Sequence, residues 1–194
     1  MEEKFWKNYI ESSKNKKPRP LAREALSYIT TGKDALDLGG GNLNDVKFFI
    51  QEGFHVTEVD QSPSVHTVAK DIDSEKITIC TSKFTEYDFP REHFDFVNAQ
   101  LSLPFQTKEE FSIVFPKIIQ SLKPGGVFAF DLFGTNHEWN SLGDSTRIFF
   151  SHEDVLNLLK DLTIIKNNET EFESRTELGN NPIHWHKFDI IIKK

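Results

Sequence analysis

Three consecutive glycines, Gly39-Gly40-Gly41, lie between two carboxylates, Asp37 and Asp45, and a further carboxylate, Asp60, closes an apolar run 21 residues after Gly39. Glycines let the main chain turn tightly and let a ligand approach the backbone. A carboxylate about twenty residues further on is placed to accept hydrogen bonds from ribose hydroxyls. The combination points to a nucleoside-containing cofactor. Charge decides which one. A dinucleotide presents a pyrophosphate to such a loop and commonly meets a third glycine, which here would fall at Asn44. No Lys or Arg lies between Asp37 and Asp45, and a carboxylate beside a pyrophosphate costs energy in a partly desolvated cleft. S-adenosylmethionine brings a sulfonium and an ammonium and has no phosphate, so Asp37 favours it. A nicotinamide-dependent oxidoreductase is the less favoured alternative.

Transfer from a sulfonium is an in-line displacement in which alignment can supply about 7–11 kcal/mol. A soft nucleophile needs no base, whereas an oxygen nucleophile often does. Candidates on the acceptor side are Asn98, Gln100 and Ser102 after one apolar run, and His137 and Trp139 after the next. Asn98-Ala99-Gln100-Leu101 lacks the Asn/Asp-Pro-Pro-aromatic signature of enzymes that methylate amino groups on bases or glutamine. His184 and His186, at i and i+2, share one face of a strand. With no neighbouring acid or cysteine in the sequence they read as polar residues on a half-buried edge, and no metal is expected.

The elements that must position these groups are legible from periodicity. Ala35 to Leu38, Phe54 to Val59, Ile77 to Cys80, Phe94 to Ala99 and Val127 to Phe133 read as strands. Between them, Leu21 to Ile29 form one helix stopped by Gly32, and Val46, Phe49 and Ile50 form a second, capped by Asn44. Ser62-Pro63 starts a third. Thr107 and Glu110 make a capping box for the fourth, which Lys123-Pro124-Gly125-Gly126 ends, and Ser151 with Asp154 starts a fifth the same way. A strand near Thr163 to Lys166, a polar stretch and a strand from His184 to Ile192 follow. Repeated strand–helix–strand units imply an α/β, doubly wound, Rossmann-like sheet, mostly parallel with helices on both faces. Ligands of such sheets bind beyond the carboxyl ends of the strands.

Composition narrows the class. With 194 residues the chain reads as one domain, residues 1–33 forming an N-terminal helical segment and 34–194 the sheet core. The net charge of −7 opposes a main partner made of nucleic acid. The single cysteine, Cys80, excludes an intrachain disulfide. No signal peptide is legible, and the longest uncharged run, twelve residues from Phe96 to Thr107, is too short to span a bilayer. A cytoplasmic protein without membrane or nucleic-acid partners is expected. Residues 1–33 carry a net charge of +4 against −11 for the rest. Their aromatic and basic groups, Trp6, Tyr9 and Arg19, allow two readings: a lid over the donor with Arg19 pairing its carboxylate, or a helix packed on the sheet through Trp6. Most of the eighteen Phe residues read as core.

These motifs resemble the class I S-adenosylmethionine-dependent methyltransferases, and within them the small tellurite-resistance-type members. The resemblance runs from Ala35 to the final strand. It rests on Asp37-Leu38-Gly39-Gly40-Gly41, Val56-Thr57-Glu58-Val59-Asp60, Phe94 to Ala99, and Leu122-Lys123-Pro124-Gly125-Gly126. Ser102-Leu103-Pro104-Phe105, Leu132-Phe133-Gly134, Trp139 and His184-Trp185-His186 add to it. It implies a seven-stranded sheet whose last strand is antiparallel and inserted beside the fifth. It also implies that Gly39 and Gly41 approach the methionine part through the backbone with Asp37 nearby, and that Asp60 binds the ribose. Gln61 would lie against the adenine, the Phe84 amide would face its ring, and the Asn98 region would hold the amino group. Two departures stand out: Lys83, where the family often has an acid, and Asn42-Leu43, where small residues are common. The implied activity is methyl transfer to a small-molecule acceptor, the alternative being a donor-binding but catalytically silent regulatory protein.

Overall fold

The computed structural model describes residues 8, 9, 12–14 and 16–194. Trp6 lies outside the described residues. In chain order the elements are α1 (Pro20–Ala25), β1 (Asp34–Leu38), α2 (Asn44–Gln51), β2 (His55–Asp60), α3 (Ser64–Val68), β3 (Ile77–Thr81), β4 (Phe94–Ala99) and α4 (Lys108–Ser121). Then follow β5 (Leu122–Gly134), α5 (Glu138–Ser141), β6 (Phe149–Phe150), α6 (His152–Leu159), β7 (Thr163–Arg175) and β8 (Pro182–Lys193).

The strands form one sheet in the order β3-β2-β1-β4-β5-β8-β7, with the two-residue β6 paired to β5 outside that path. Pairings from β3 through β5 are parallel, whereas β8 runs antiparallel between β5 and β7. The order reverses between β1 and β4, so a crevice opens beyond their carboxyl ends. Strand β4 is buried at all six positions, as a central parallel strand covered on both faces must be. Its alternation divides the core. Val97 and Ala99, with Phe128 and Phe130 of β5, meet Phe111, Val114, Phe115 and Ile118 of α4 and Val155 and Leu159 of α6. Phe96, with Val127 and Ala129, meets Leu21, Ala22 and Ala25 of α1 and Val46 and Phe49 of α2.

Both capping boxes form: the Thr107 side chain accepts from Glu110 N–H, and Ser151 from Asp154 N–H. Four local expectations are corrected. Asn44 is the first residue of α2; the flanking position is Leu43, in the left-handed region at φ 56° and fully buried. Leu43 therefore packs into the core and does not narrow the cleft. The helix from Leu21 reaches only Ala25 before a 3₁₀ turn over Leu26–Tyr28. Strand β5 already starts at Leu122, which pairs with Phe94, and a register shift between Phe94 and Phe96 accommodates Pro124-Gly125-Gly126. The polar stretch after Lys166 is strand as far as Arg175, its exposed charged residues held by backbone pairing to β8. No helix among the described residues is long and apolar enough to cross a membrane.

Candidate functional site

A cleft of about 900 Å³ opens beyond the carboxyl ends of β1, β2 and β4. Gly39, Gly40, Gly41, Asp60, Gln61 and Phe84 line one part of it, and Ser102, Phe105, Trp139 and Trp185 another. Gly39 and Gly41 have φ of 78° and 54°, a region that costs an L-residue roughly 1–2 kcal/mol. A Cβ on Gly39 would also lie 2.7 Å from Ser102 Cβ. The loop thus brings bare backbone to the cleft, which a ligand can approach closely. Asp60 ends β2, where the Ser62 N–H donates to it at 2.7 Å and the Gly41 N–H also binds it. Burial nonetheless raises its pKa above the ordinary carboxylate value.

Beneath the loop lies a pair of acids. Asp37 and Glu58 are register partners on β1 and β2, and both are buried. Glu58 Oε1 accepts the Gly40 N–H at 2.8 Å, and Asp37 Oδ1 accepts Asn98 Nδ2 at 2.6 Å. The remaining oxygens, Asp37 Oδ2 and Glu58 Oε2, have no hydrogen-bond partner among the described residues, and both lie under Gly40. A proton shared between the two carboxyls would satisfy both. Burial, with the Asp45 charge adding, pushes Asp37 up to about 6. Burial and then the Asp37 charge push Glu58 well above the ordinary value. Gly40 roofs the pair, since a Cβ there would lie 2.6 Å from Asp37 Oδ2.

Asn98 and Gln100 continue this network downward. Gln100 Nε2 donates to Asn98 Oδ1 at 2.7 Å, and neither side chain lines the cleft. Of the three candidates after β4, only Ser102 faces it, and Ser102 Oγ is buried without a hydrogen-bond partner among the described residues. His137 is likewise behind the wall. Its Nδ1 accepts the Trp139 N–H at 3.2 Å, its Nε2 has no partner among the described residues, and burial lowers its pKa to about 4. Trp139 itself lines the cleft.

Described residues of the N-terminal segment rest on the glycine loop. Asn42 Nδ2 donates to Ser13 Oγ at 2.6 Å, and Tyr9 lines the cleft beside Gly41. Arg19, offered above as a partner for a ligand carboxylate, is engaged by Asp45 instead: its N–H and Nη1 donate at 2.7 and 2.6 Å. Asp45 is 3% exposed, so this ion pair is largely withdrawn from water.

The histidines of β8 do have acids beside them, contrary to the premise taken from the sequence. His184 Nδ1 and Nε2 face Glu173 and Glu171 at 2.8 and 2.9 Å, and His186 Nε2 faces Glu169 at 2.8 Å. These carboxylates come from β7 by cross-strand pairing, which no sequence spacing displays. His186 Nδ1 accepts the Asn136 N–H, fixing the turn after β5. Among the described residues no group of three or more His, Cys, Asp and Glu is arranged to hold a metal ion.

Sequence reasoning missed Glu58, Arg147 and the place of Trp185. Arg147 forms an ion pair with Asp144 and lies over the Trp139 ring, 4.3 Å from its centroid, and over Phe105 at 5.1 Å. No motif marks it, because its partners come from separate turns.

Residues 36–130 match the family described as a methyltransferase domain. No curated protein matches the sequence. Among solved structures, TehB from Haemophilus influenzae has a TM-score of 0.72 at 16% identity, over 89% of this chain and 61% of that one. A SAM-dependent methyltransferase from Methanosarcina mazei has 0.70 at 21%, over 92% and 99%. The 1,6-didemethyltoxoflavin-N1-methyltransferase of Burkholderia thailandensis, solved with 1,6-didemethyltoxoflavin and S-adenosylhomocysteine, has 0.69 at 20%, over 91% and 77%. At these identities the likeness is one of fold.

Proposed function

The chain belongs to the class I S-adenosylmethionine-dependent methyltransferases, and from that premise we propose that it methylates a small-molecule acceptor at the crevice between β1 and β4. One observation carries the reading. The cleft joins a glycine loop with two left-handed residues to the carboxylate of Asp60, with the acids Asp37 and Glu58 buried beneath the loop. Arg19, the nearby base, is already matched by Asp45. The bare backbone of Gly39 and the unpartnered Ser102 Oγ fit a ligand seated against the loop.

In this reading Gly39 and Gly41 present the backbone to the methionine part, and Asp60 accepts hydrogen bonds from the ribose. Gln61 and Phe84 border the adenine. Asp37 and Asn98 act from below, holding the loop and supplying a negative field beneath a cationic ligand. Bound S-adenosylmethionine supplies a methyl group on a positively charged sulfur, which leaves as its neutral thioether. The protein's part is to orient the acceptor in line and to exclude water. Tyr9, beside Gly41, serves as part of the cover over the loop. Lys83, exposed at the rim, leaves the adenine amino group without an acidic partner at that position.

Asn98, Gln100 and His137 are held inside the wall, which favours an acceptor that needs no side-chain base. The same observation is what supports the alternative of a donor-binding but silent regulatory protein. Calorimetric titration with S-adenosylmethionine, S-adenosylhomocysteine and NADH tests the donor assignment: micromolar binding of the first two alone is expected. Binding of NADH alone would overturn it. Methyl transfer to a thiol acceptor at any measurable rate would exclude the silent alternative.

A further inference from the structure

Beyond the donor end, the cleft continues along an aromatic wall whose construction identifies a class of acceptor. Gly39 sits against Ser102, and the 3₁₀ turn Leu103–Phe105 carries Phe105 from there into the cleft. Phe105 is 36% exposed, an open ring at the position nearest the loop. Trp139 stands next to it with ring centroids 6.1 Å apart, and Trp185 of β8 next to Trp139 at 5.8 Å. All three line the cleft.

Behind them a second rank fixes their positions. The Phe133 ring lies 5.6 Å from Phe105, 5.7 Å from Trp139 and 5.9 Å from Trp185. His137 lies 4.8 and 5.0 Å from the two indoles. His137 and Phe133 are fully buried, so the wall is backed by core and is not a loose rim. The Arg147 guanidinium lies over both Trp139 and Phe105, and its charge is met by Asp144. A cation already paired and stacked offers a planar π-surface more than a site for a free oxyanion.

Resting on the methyltransferase reading, we propose that the acceptor is a planar aromatic or heteroaromatic molecule, stacked along Phe105, Trp139 and Trp185 beside Arg147. Rings in offset or edge-to-face contact gain more from one another than equal apolar area alone supplies. An aliphatic acceptor would leave that gain unused.

The test compares two probes of the same skeleton, 2-naphthol and its saturated counterpart decahydro-2-naphthol, by calorimetry and saturation-transfer NMR. Each is titrated into the full chain with and without saturating S-adenosylhomocysteine. The proposal expects 2-naphthol to bind about tenfold more tightly than the saturated probe. Trp139→Leu should remove that preference while S-adenosylhomocysteine affinity reports that the donor end is intact. Equal binding of both probes, binding of neither, or a preference that survives in both Trp139→Leu and Trp185→Leu overturns it. Binding of selenite with neither naphthol overturns it in favour of an oxyanion acceptor. If S-adenosylhomocysteine fails to bind the folded protein, the donor reading fails, and the naphthol pair without it still decides the aromatic chamber.

Discussion

Replacing Glu58 by Gln separates a shared proton from an ordinary hydrogen bond. The pair Asp37–Glu58 is buried, and Glu58 is pushed well above the ordinary carboxylate range by burial and by the Asp37 charge. A folded-state pKa raised above the unfolded value of about 4.3 means that the native protein holds a proton the unfolded chain has released. The contribution of Glu58 to stability is therefore greatest at low pH and falls as pH rises toward its folded pKa, by up to about 1.4 kcal/mol per pH unit for one proton. Asp37, raised to about 6, adds to the slope only at lower pH, between about 4 and 6. Above that range, up to its own folded pKa, the Glu58 proton is left as the difference that Gln would remove. Gln is always neutral, its carbonyl can accept the Gly40 N–H, and its amide can donate to Asp37 Oδ2. Asp60, Asp131 and Lys187 titrate with shifted pKa values in both proteins, so the difference between them reports the Asp37–Glu58 pair. Urea unfolding followed by tryptophan fluorescence, in half-unit steps from about pH 5 to 8, is the assay. The stability of Glu58→Gln relative to the parent should rise with pH until the folded pKa of Glu58 is passed, with a slope of up to about 1.4 kcal/mol per pH unit. Glu58→Ala should be less stable than Glu58→Gln by about 1–3 kcal/mol, because the Gly40 N–H and Asp37 Oδ2 lose a buried partner. Parallel pH profiles for the parent and Glu58→Gln would refute the shared proton.

Asp60→Ala should weaken S-adenosylhomocysteine binding by about 1.5–3 kcal/mol, read by calorimetry; unchanged affinity would remove the ribose assignment. Gly39→Ala meets Ser102 Cβ at 2.7 Å from a backbone with φ of 78°, and should cost about 1–3 kcal/mol in chemical denaturation. Arg19→Ala strands the nearly buried Asp45 carboxylate, with an expected loss of about 2 kcal/mol that Arg19→Ala/Asp45→Asn largely restores. His137, lowered to about 4 by burial, should stay neutral until pH falls well below 6.5. Because the unfolded chain takes up that proton first, His137 makes the fold lose stability as pH drops from about 6.5 toward 4. An NMR titration of its ring protons checks this, and a midpoint near 6.5 would place the ring in water.

What the sequence displayed and what it hid differ in the distance over which the signal is written. Thr107 with Glu110 and Ser151 with Asp154 announce their helices because a capping box closes within three residues. The glycine loop and Asp60 were legible for a similar reason, since one strand–helix–strand unit contains them all. Strand β7 was not: Asn167 to Arg175 has no apolar alternation, and its pairing with Ile190 through Pro182 is what makes it a strand. The same limit governs the site. Glu58 belongs to the Val56–Asp60 motif, yet its role exists only when register sets it opposite Asp37. The aromatic wall draws Phe105 from the 3₁₀ turn after β4, Trp139 and Arg147 from the connection between β5 and β6, and Trp185 from within β8. A parallel sheet has this consequence by construction. Its strands carry the donor-binding residues in one early, compact stretch, whereas the opposite wall is assembled from whatever follows the later strands. Donor chemistry is thereby readable from a motif, and acceptor chemistry must be read from the packed rings themselves.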